Sequence, residues 1–88
     1  MKVRIEFYAT LREKFGRAIE IECDGTLYGA LKAAAEKLGK DFEKEVFKDD
    51  KIRDDRIILV NGRNIKDEKI ENLNENSKIA IFPPVAGG

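Results

Sequence analysis

Between residues 26 and 39 the chain is written as one helix, and the segments on either side are written as strands. Leu27, Leu31, Ala34 and Leu38 recur at the spacing of a single helix face, and Ala30 and Ala35 widen the stripe. Lys32, Glu36 and Lys37 fall on the opposite side. Thr26 stands where an N-cap hydroxyl accepts from the free amides of the first turn, and Gly39 stands where a left-handed C-terminal stop is needed. One helix with one apolar stripe must bury it on a neighbour. The neighbour available is a sheet, so the class is α+β: a two-layer sandwich with one main helix on one face of a mixed sheet.

The flanking segments fill in that sheet. Val3, Ile5 and Phe7 alternate with Lys2, Arg4, Glu6 and Tyr8, the pattern of a half-buried strand. Residues 9–16 read as a connection anchored by Leu11 and Phe15. Over residues 18–23, Ile19 and Ile21 alternate with Glu20 and Glu22, which makes the first two strands a hairpin. Gly25 is a turn residue. Gly29, inside the first helical turn, costs up to about 1 kcal/mol against Ala, and a close helix–sheet approach is the expected reason. Residues 41–47 form one or two short turns with Phe42 and Val46 facing inward, and residues 48–55 form a charged loop. Ile57-Ile58-Leu59-Val60 reads as a buried strand. Asn61-Gly62 then gives a type I′ turn, whose two central residues both need positive φ. Residues 63–65 return briefly, and residues 66–76 are polar with Ile70 and Leu73 inward. Residues 77–82 are the last strand, with Ile79 and Ile81 on the core face. The expected arrangement is a β-grasp over residues 1–82, with the first and last strands parallel and adjacent in the middle of the sheet, and a separate tail over residues 83–88.

Composition excludes much chemistry. Lys+Arg and Asp+Glu are both 17, and a net charge of zero argues against binding nucleic acid by phosphate neutralisation. With no His and one Cys, there is no His-bearing triad, no His/Cys zinc site and no disulfide within the chain. Cys23 has no base to activate it and reads as a small core or strand-end residue. Asp49-Asp50 and Asp54-Asp55 lack the alternating ligands and glycine turn of a calcium loop. No apolar run approaches the length of a membrane span, and the first residues lack the apolar core of a leader. With a single Cys, this fits a reducing cytoplasm.

The ending carries the functional signal. Pro83 and Pro84 cannot donate to a sheet, so pairing stops after Phe82. The segment Pro83-Pro84-Val85-Ala86-Gly87-Gly88 tapers to two glycines, and at about 3.3–3.6 Å per extended residue it reaches roughly 20 Å. Such a flexible tip enters a channel too narrow for any Cβ. Its one reactive group is the carboxylate of Gly88, a poor electrophile when ionised. Adenylation with ATP activates that carbonyl for attack by a sulfur nucleophile or an amine.

Three segments resemble the MoaD/ThiS family of ubiquitin-like sulfur carriers: Phe7-Tyr8-Ala9-Thr10-Leu11-Arg12-Glu13, Leu59-Val60-Asn61-Gly62-Arg63, and Ile79-Ala80-Ile81-Phe82-Pro83-Pro84-Val85-Ala86-Gly87-Gly88. The resemblance spans the chain in order and length. Its Phe-Pro-Pro-Val-x-Gly-Gly ending points to the branch formed by the small subunit of molybdopterin synthase. It implies a carrier cycle. An adenylating activating enzyme (MoeB-like) consumes ATP on Gly88, with Gly87 beside it. A sulfurtransferase supplies the sulfur of a terminal thiocarboxylate. The carrier then inserts its tail into the synthase large subunit (MoaE-like) and gives sulfur to a pterin precursor of the molybdenum or tungsten cofactor. No cofactor and no metal sit on this chain in that scheme, and no nucleic acid or membrane takes part.

Alternation places the docking surface. If Phe7 and Ile81 face the helix, Tyr8 and Phe82 face the other side, beside the tail root, and an exposed aromatic pair marks a partner site. Arg12 and Arg63 are expected to flank it, and Pro83, Pro84, Val85 and Ala86 to follow the partner's channel. The family's docking positions correspond to Tyr8, Arg12 and Phe82. Two other functions compete: a ubiquitin-like modifier joined through Gly88 to target lysines, and an interaction module whose Gly-Gly ending is incidental.

Overall fold

A computed structural model describes residues 1–84; the tail positions Val85, Ala86, Gly87 and Gly88 lie outside the described residues. Strand β1 (Lys2–Phe7) pairs antiparallel with β2 (Ala18–Glu22) and parallel with β7 (Lys78–Phe82). Beyond β7 come β5 (Ile57–Val60) and the short β6 (Arg63–Asn64), both antiparallel to their neighbours. The order β2-β1-β7-β5-β6 puts the first and last strands parallel at the centre, as the β-grasp reading requires.

Period-two alternation explains the layers. Val3, Ile5, Phe7, Ile21, Ile58, Val60, Ile79 and Ile81 are buried on one face, against Leu27, Ala30, Leu31, Ala34 and Ala35 of helix α2 (Leu27–Leu38). Outward positions Lys2, Arg4, Glu20, Glu22 and Lys78 are exposed. The helix starts where its sequence says: Thr26 Oγ1 accepts from Gly29 N at 2.9 Å. It stops at Gly39, whose φ of 97° and ψ of −170° are not left-handed helical but lie in an extended positive-φ region that glycine alone enters readily.

Two segments are more ordered than their sequence implies. Residues 10–15, expected within a connection, form α1 (Thr10–Phe15), which has no side-chain cap. Tertiary packing holds it: Leu11 is buried, and the Phe15 ring lies 5.4 Å from Phe7 and 5.7 Å from Phe42. Phe42 comes from α3 (Lys40–Val46). The expected charged loop contains a small hairpin, β3 (Phe47–Lys48) with β4 (Lys51–Ile52), turned by Asp49 (φ 53°) and Asp50 (φ 62°). These two residues adopt the same positive-φ pair as Asn61 (50°) and Gly62 (85°). Arg56 ties the end of this loop to α3 through Glu45 (3.3 Å) and to Asp55 (3.2 Å).

Gly29 has a different reason from the one expected. A Cβ there would meet Asp24 Oδ1 at 2.2 Å and Thr26 Oγ1 at 2.8 Å, not the sheet. Asp24 Oδ1 accepts from both the amide and the hydroxyl of Thr26, and those hydrogen bonds hold its carboxyl below the usual range. Glycine leaves room for this capping loop.

Candidate functional site

The parallel register of β1 and β7 builds the site. Phe7 and Ile81 are partners on the core face, so the next residue of each strand turns to the opposite face. Tyr8 N donates to Ile81 O at 3.2 Å, extending the ladder one step. The Tyr8 and Phe82 rings then stack, with centroids 4.5 Å apart and planes 10° from parallel. Tyr8 closes β1 through a tight turn in which Leu11 N donates to Tyr8 O at 3.2 Å. The turn puts Ala9 at φ 54°, ψ −132°, a conformation usually left to glycine. It brings Arg12 of α1 back over the strand end. Arg12 Nε donates to Phe7 O at 2.9 Å, and its guanidinium carbon sits 4.9 Å from the Tyr8 ring centroid. That is within the range of a cation–π contact.

A polar relay fixes the far end of the tyrosine. The Tyr8 hydroxyl donates to Glu6 Oε1 at 3.0 Å, and Arg4 Nε donates to Glu6 Oε2 at 3.1 Å. The Arg4 and Tyr8 hydrogen bonds hold the Glu6 carboxyl below its ordinary range, and the hydrogen bond to Glu6 pushes the Tyr8 phenol up. At neutral pH the relay is thus a carboxylate accepting from a protonated phenol.

The apolar surface is wider than the aromatic pair. Ile57 is the ladder partner of Phe82, and Leu59 the partner of Ala80. All four are half-buried on the open face, whereas Ile58 and Val60 between them are buried. The unbroken run 57–60 concealed this. In a sheet covered on one face only, alternate residues of any apolar run must look outward. Pro83 continues the patch half-buried, and Pro84 is exposed.

Arg63 stands apart. It is the ladder partner of buried Val60, on edge strand β6, and so shares the helix side of the sheet. Arg63 Nη1 lies 3.6 Å from Glu68 Oε1. The two-residue turn fixes that parity, which is why Arg63 does not flank the aromatic pair as expected. Gly87, Gly88, Val85 and Ala86 lie outside the described residues. Among the described residues, no three His, Cys, Asp or Glu side chains gather as metal ligands, and no helix is long and apolar enough to cross a membrane.

A helix-covered mixed sheet with central parallel strands defines a ubiquitin-like β-grasp protein. The chain belongs to the ThiS family of ubiquitin-like sulfur carriers, whose model matches residues 5–88. No curated protein matches it significantly. Among solved structures it is similar to SAMP1 from Haloferax volcanii, at 29% identity over 100% of both chains and a TM-score of 0.80. It is similar to small archaeal modifier protein 1 from Methanosarcina acetivorans, at 26% identity over 99% of this chain and 96% of that one, with a TM-score of 0.81. A Pyrococcus furiosus protein described as molybdopterin converting factor, subunit 1, is similar at 26% identity over 97% and 99%, with a TM-score of 0.70.

Proposed function

We propose that this chain is the sulfur-carrying small subunit of a molybdopterin synthase. The observation that carries the reading is the Tyr8–Phe82–Arg12 cluster at the root of a segment ending Val85-Ala86-Gly87-Gly88. In this reading the Gly88 carboxylate attacks the α-phosphate of ATP on an activating enzyme, and pyrophosphate leaves. The persulfide of a sulfurtransferase displaces AMP to form an acyl disulfide, and a thiol then cleaves its S–S bond, leaving a thiocarboxylate and a new disulfide. The apolar face then seats the carrier on the synthase large subunit, and Arg12 meets carboxylates at the rim. Pro83 and Pro84 hold the chain extended, so that the small side chains after them thread a narrow passage to the pterin precursor. This chain presents the nucleophile; the partners supply the pockets.

The similarity to two archaeal modifier proteins along nearly the whole chain favours a second reading. There a lysine amine displaces AMP, and Gly88 ends in an isopeptide bond. Both readings share the adenylate and part at the attacking atom.

The test is reconstitution: thiocarboxylated chain, a synthase large subunit and the pterin precursor, followed by detection of the dithiolene product. Product formed in proportion to thiocarboxylate consumed supports the first reading. No product, together with host-protein lysines that carry the segment from Ile79 to Gly88 after tryptic cleavage behind Lys78, selects the second.

A further inference from the structure

The two edges of the sheet are unequal. Strand β6 offers two residues and β2 offers five. The pairing with β1 determines which backbone groups of β2 face outward. Phe7 N donates to Arg17 O at 3.0 Å, and Cys23 N donates to Met1 O at 2.9 Å. Hydrogen-bonded pairs alternate along an antiparallel ladder. With Ile5 opposite Ile19 and Val3 opposite Ile21, residues 17, 19, 21 and 23 are those that bond to β1. The N–H and C=O groups of Ala18, Glu20 and Glu22 therefore point away from the sheet, and among the described residues no strand lies beyond them.

Beside this edge, on the helix side, runs a groove of about 410 Å³ lined by Glu20, Ile21 and Glu22 of β2 and by Ala33, Glu36 and Lys37 of α2. Ala33 contributes only a methyl group, which leaves space above Ile21.

We propose that the β2 edge is a strand-addition site for an extended peptide segment of alternating basic and apolar residues. Parity dictates that alternation. Residues of an added strand that lie opposite Glu20 and Glu22 share the outer face with those carboxylates, so they are basic. The residues between them lie over the groove against Ile21 and Ala33, so they are apolar. Among the described residues Glu20 and Glu36 hold no ion pair, while Glu22 is engaged by the Met1 amino group at 3.3 Å. In the antiparallel register centred on Glu20, a second copy of this chain opposes Glu20 to itself, and like charges directly opposite are destabilising. The groove lies on the helix side and the Tyr8–Phe82 cluster on the other, so both are open at once, and the proposal does not depend on the tail chemistry.

The experiment titrates the isotope-labelled full chain with a capped eight-residue peptide alternating lysine and valine, and with its glutamate–valine counterpart. The expected result is saturable shifts and slowed hydrogen exchange at the outward amides of Ala18, Glu20 and Glu22, with Tyr8 and Phe82 unmoved. The glutamate peptide binds about tenfold more weakly or worse, as a loss of roughly 1.4 kcal/mol implies. Glu20→Pro removes the central outward donor without touching a bond to β1, which an edge strand tolerates, and abolishes binding. Glu20→Lys leaves the backbone pairing alone and weakens the lysine peptide by about threefold, equivalent to roughly 0.65 kcal/mol. Should Glu20→Pro fail to fold, Glu20→Lys and the peptide pair carry the test. The proposal is overturned by shifts centred on the Tyr8–Phe82 face, by no saturable shift at millimolar peptide, by equal affinity for both peptides, or by a concentration-dependent dimer formed through β2.

Discussion

Replacing Phe82 with Ala separates docking from folding. Phe82 is half-buried and stacks on Tyr8 at 4.5 Å. Full burial of such a side chain is worth about 1.5–3 kcal/mol, and an aromatic pair adds about 0.5–1.5 kcal/mol. Half-burial therefore puts the stability loss at about 1–2.5 kcal/mol, which urea unfolding reads as a lower midpoint with an unchanged slope. For docking, truncating a central aromatic anchor costs about 2 kcal/mol or more, roughly 30-fold in Kd. The control is Ile81→Ala, one residue earlier. Ile81 is fully buried on the helix side, so it loses about 2–5 kcal/mol of stability and, while folded, docks within about threefold of wild type. Calorimetric titration with the synthase large subunit supplies the second axis. The reasoning is refuted if folded Phe82→Ala docks like wild type, or if Ile81→Ala weakens docking as strongly.

Other consequences follow from the same geometry. Arg12→Ala weakens docking by about tenfold, roughly 1.4 kcal/mol, while Arg63→Ala changes it less than about twofold; equal losses in the same titration would return Arg63 to the site. Gly29→Ala lowers thermal stability despite alanine's helix propensity, because its Cβ displaces Asp24 from Thr26. In an Asp24→Ala background the same change costs less, and identical costs in both backgrounds would reject the cap explanation. The Glu6 carboxyl lies below its unfolded value. Its relay therefore stabilises the fold above that value, ordinarily about 4.3, and the contribution is lost as pH falls through the folded value. Glu6→Gln flattens the acid limb of the stability–pH curve, and a carboxyl resonance for Glu6 titrating at or above 4.3 contradicts the relay.

How much could be read in advance depends on whether local or tertiary forces set each element. Thr26, the Leu27–Leu38 stripe and Asn61-Gly62 act locally, and each does what its sequence implies. The central parallel pair came with the β-grasp arrangement and the family resemblance, and within it alternation in β1 and β7 placed Tyr8 and Phe82 together. Helix α1 was illegible because its start carries no capping side chain and its order comes from Leu11 and Phe15 packing on distant residues. Asp49-Asp50 turns a hairpin without the glycine that usually announces one. Ile57 and Leu59 were hidden by their buried neighbours, and Arg63 was misplaced because proximity in a motif was read without the parity of the intervening turn. The relay through Glu6 had no sequence signal beyond alternation.

The central claim is that this chain acts through its Gly88 carboxylate. Intact mass, with fragmentation of the C-terminal peptide, after incubation with ATP, a sulfur donor and the activating enzyme tests it most directly. Fragmentation is needed because oxidation of Met1 or Cys23 nearly matches the mass gained when sulfur replaces oxygen. The account predicts sulfur on Gly88, dependent on ATP and absent when Gly88 is deleted. An unmodified Gly88, with an enzyme proven active on its own carrier and no Gly88–lysine bond in host extract, contradicts it.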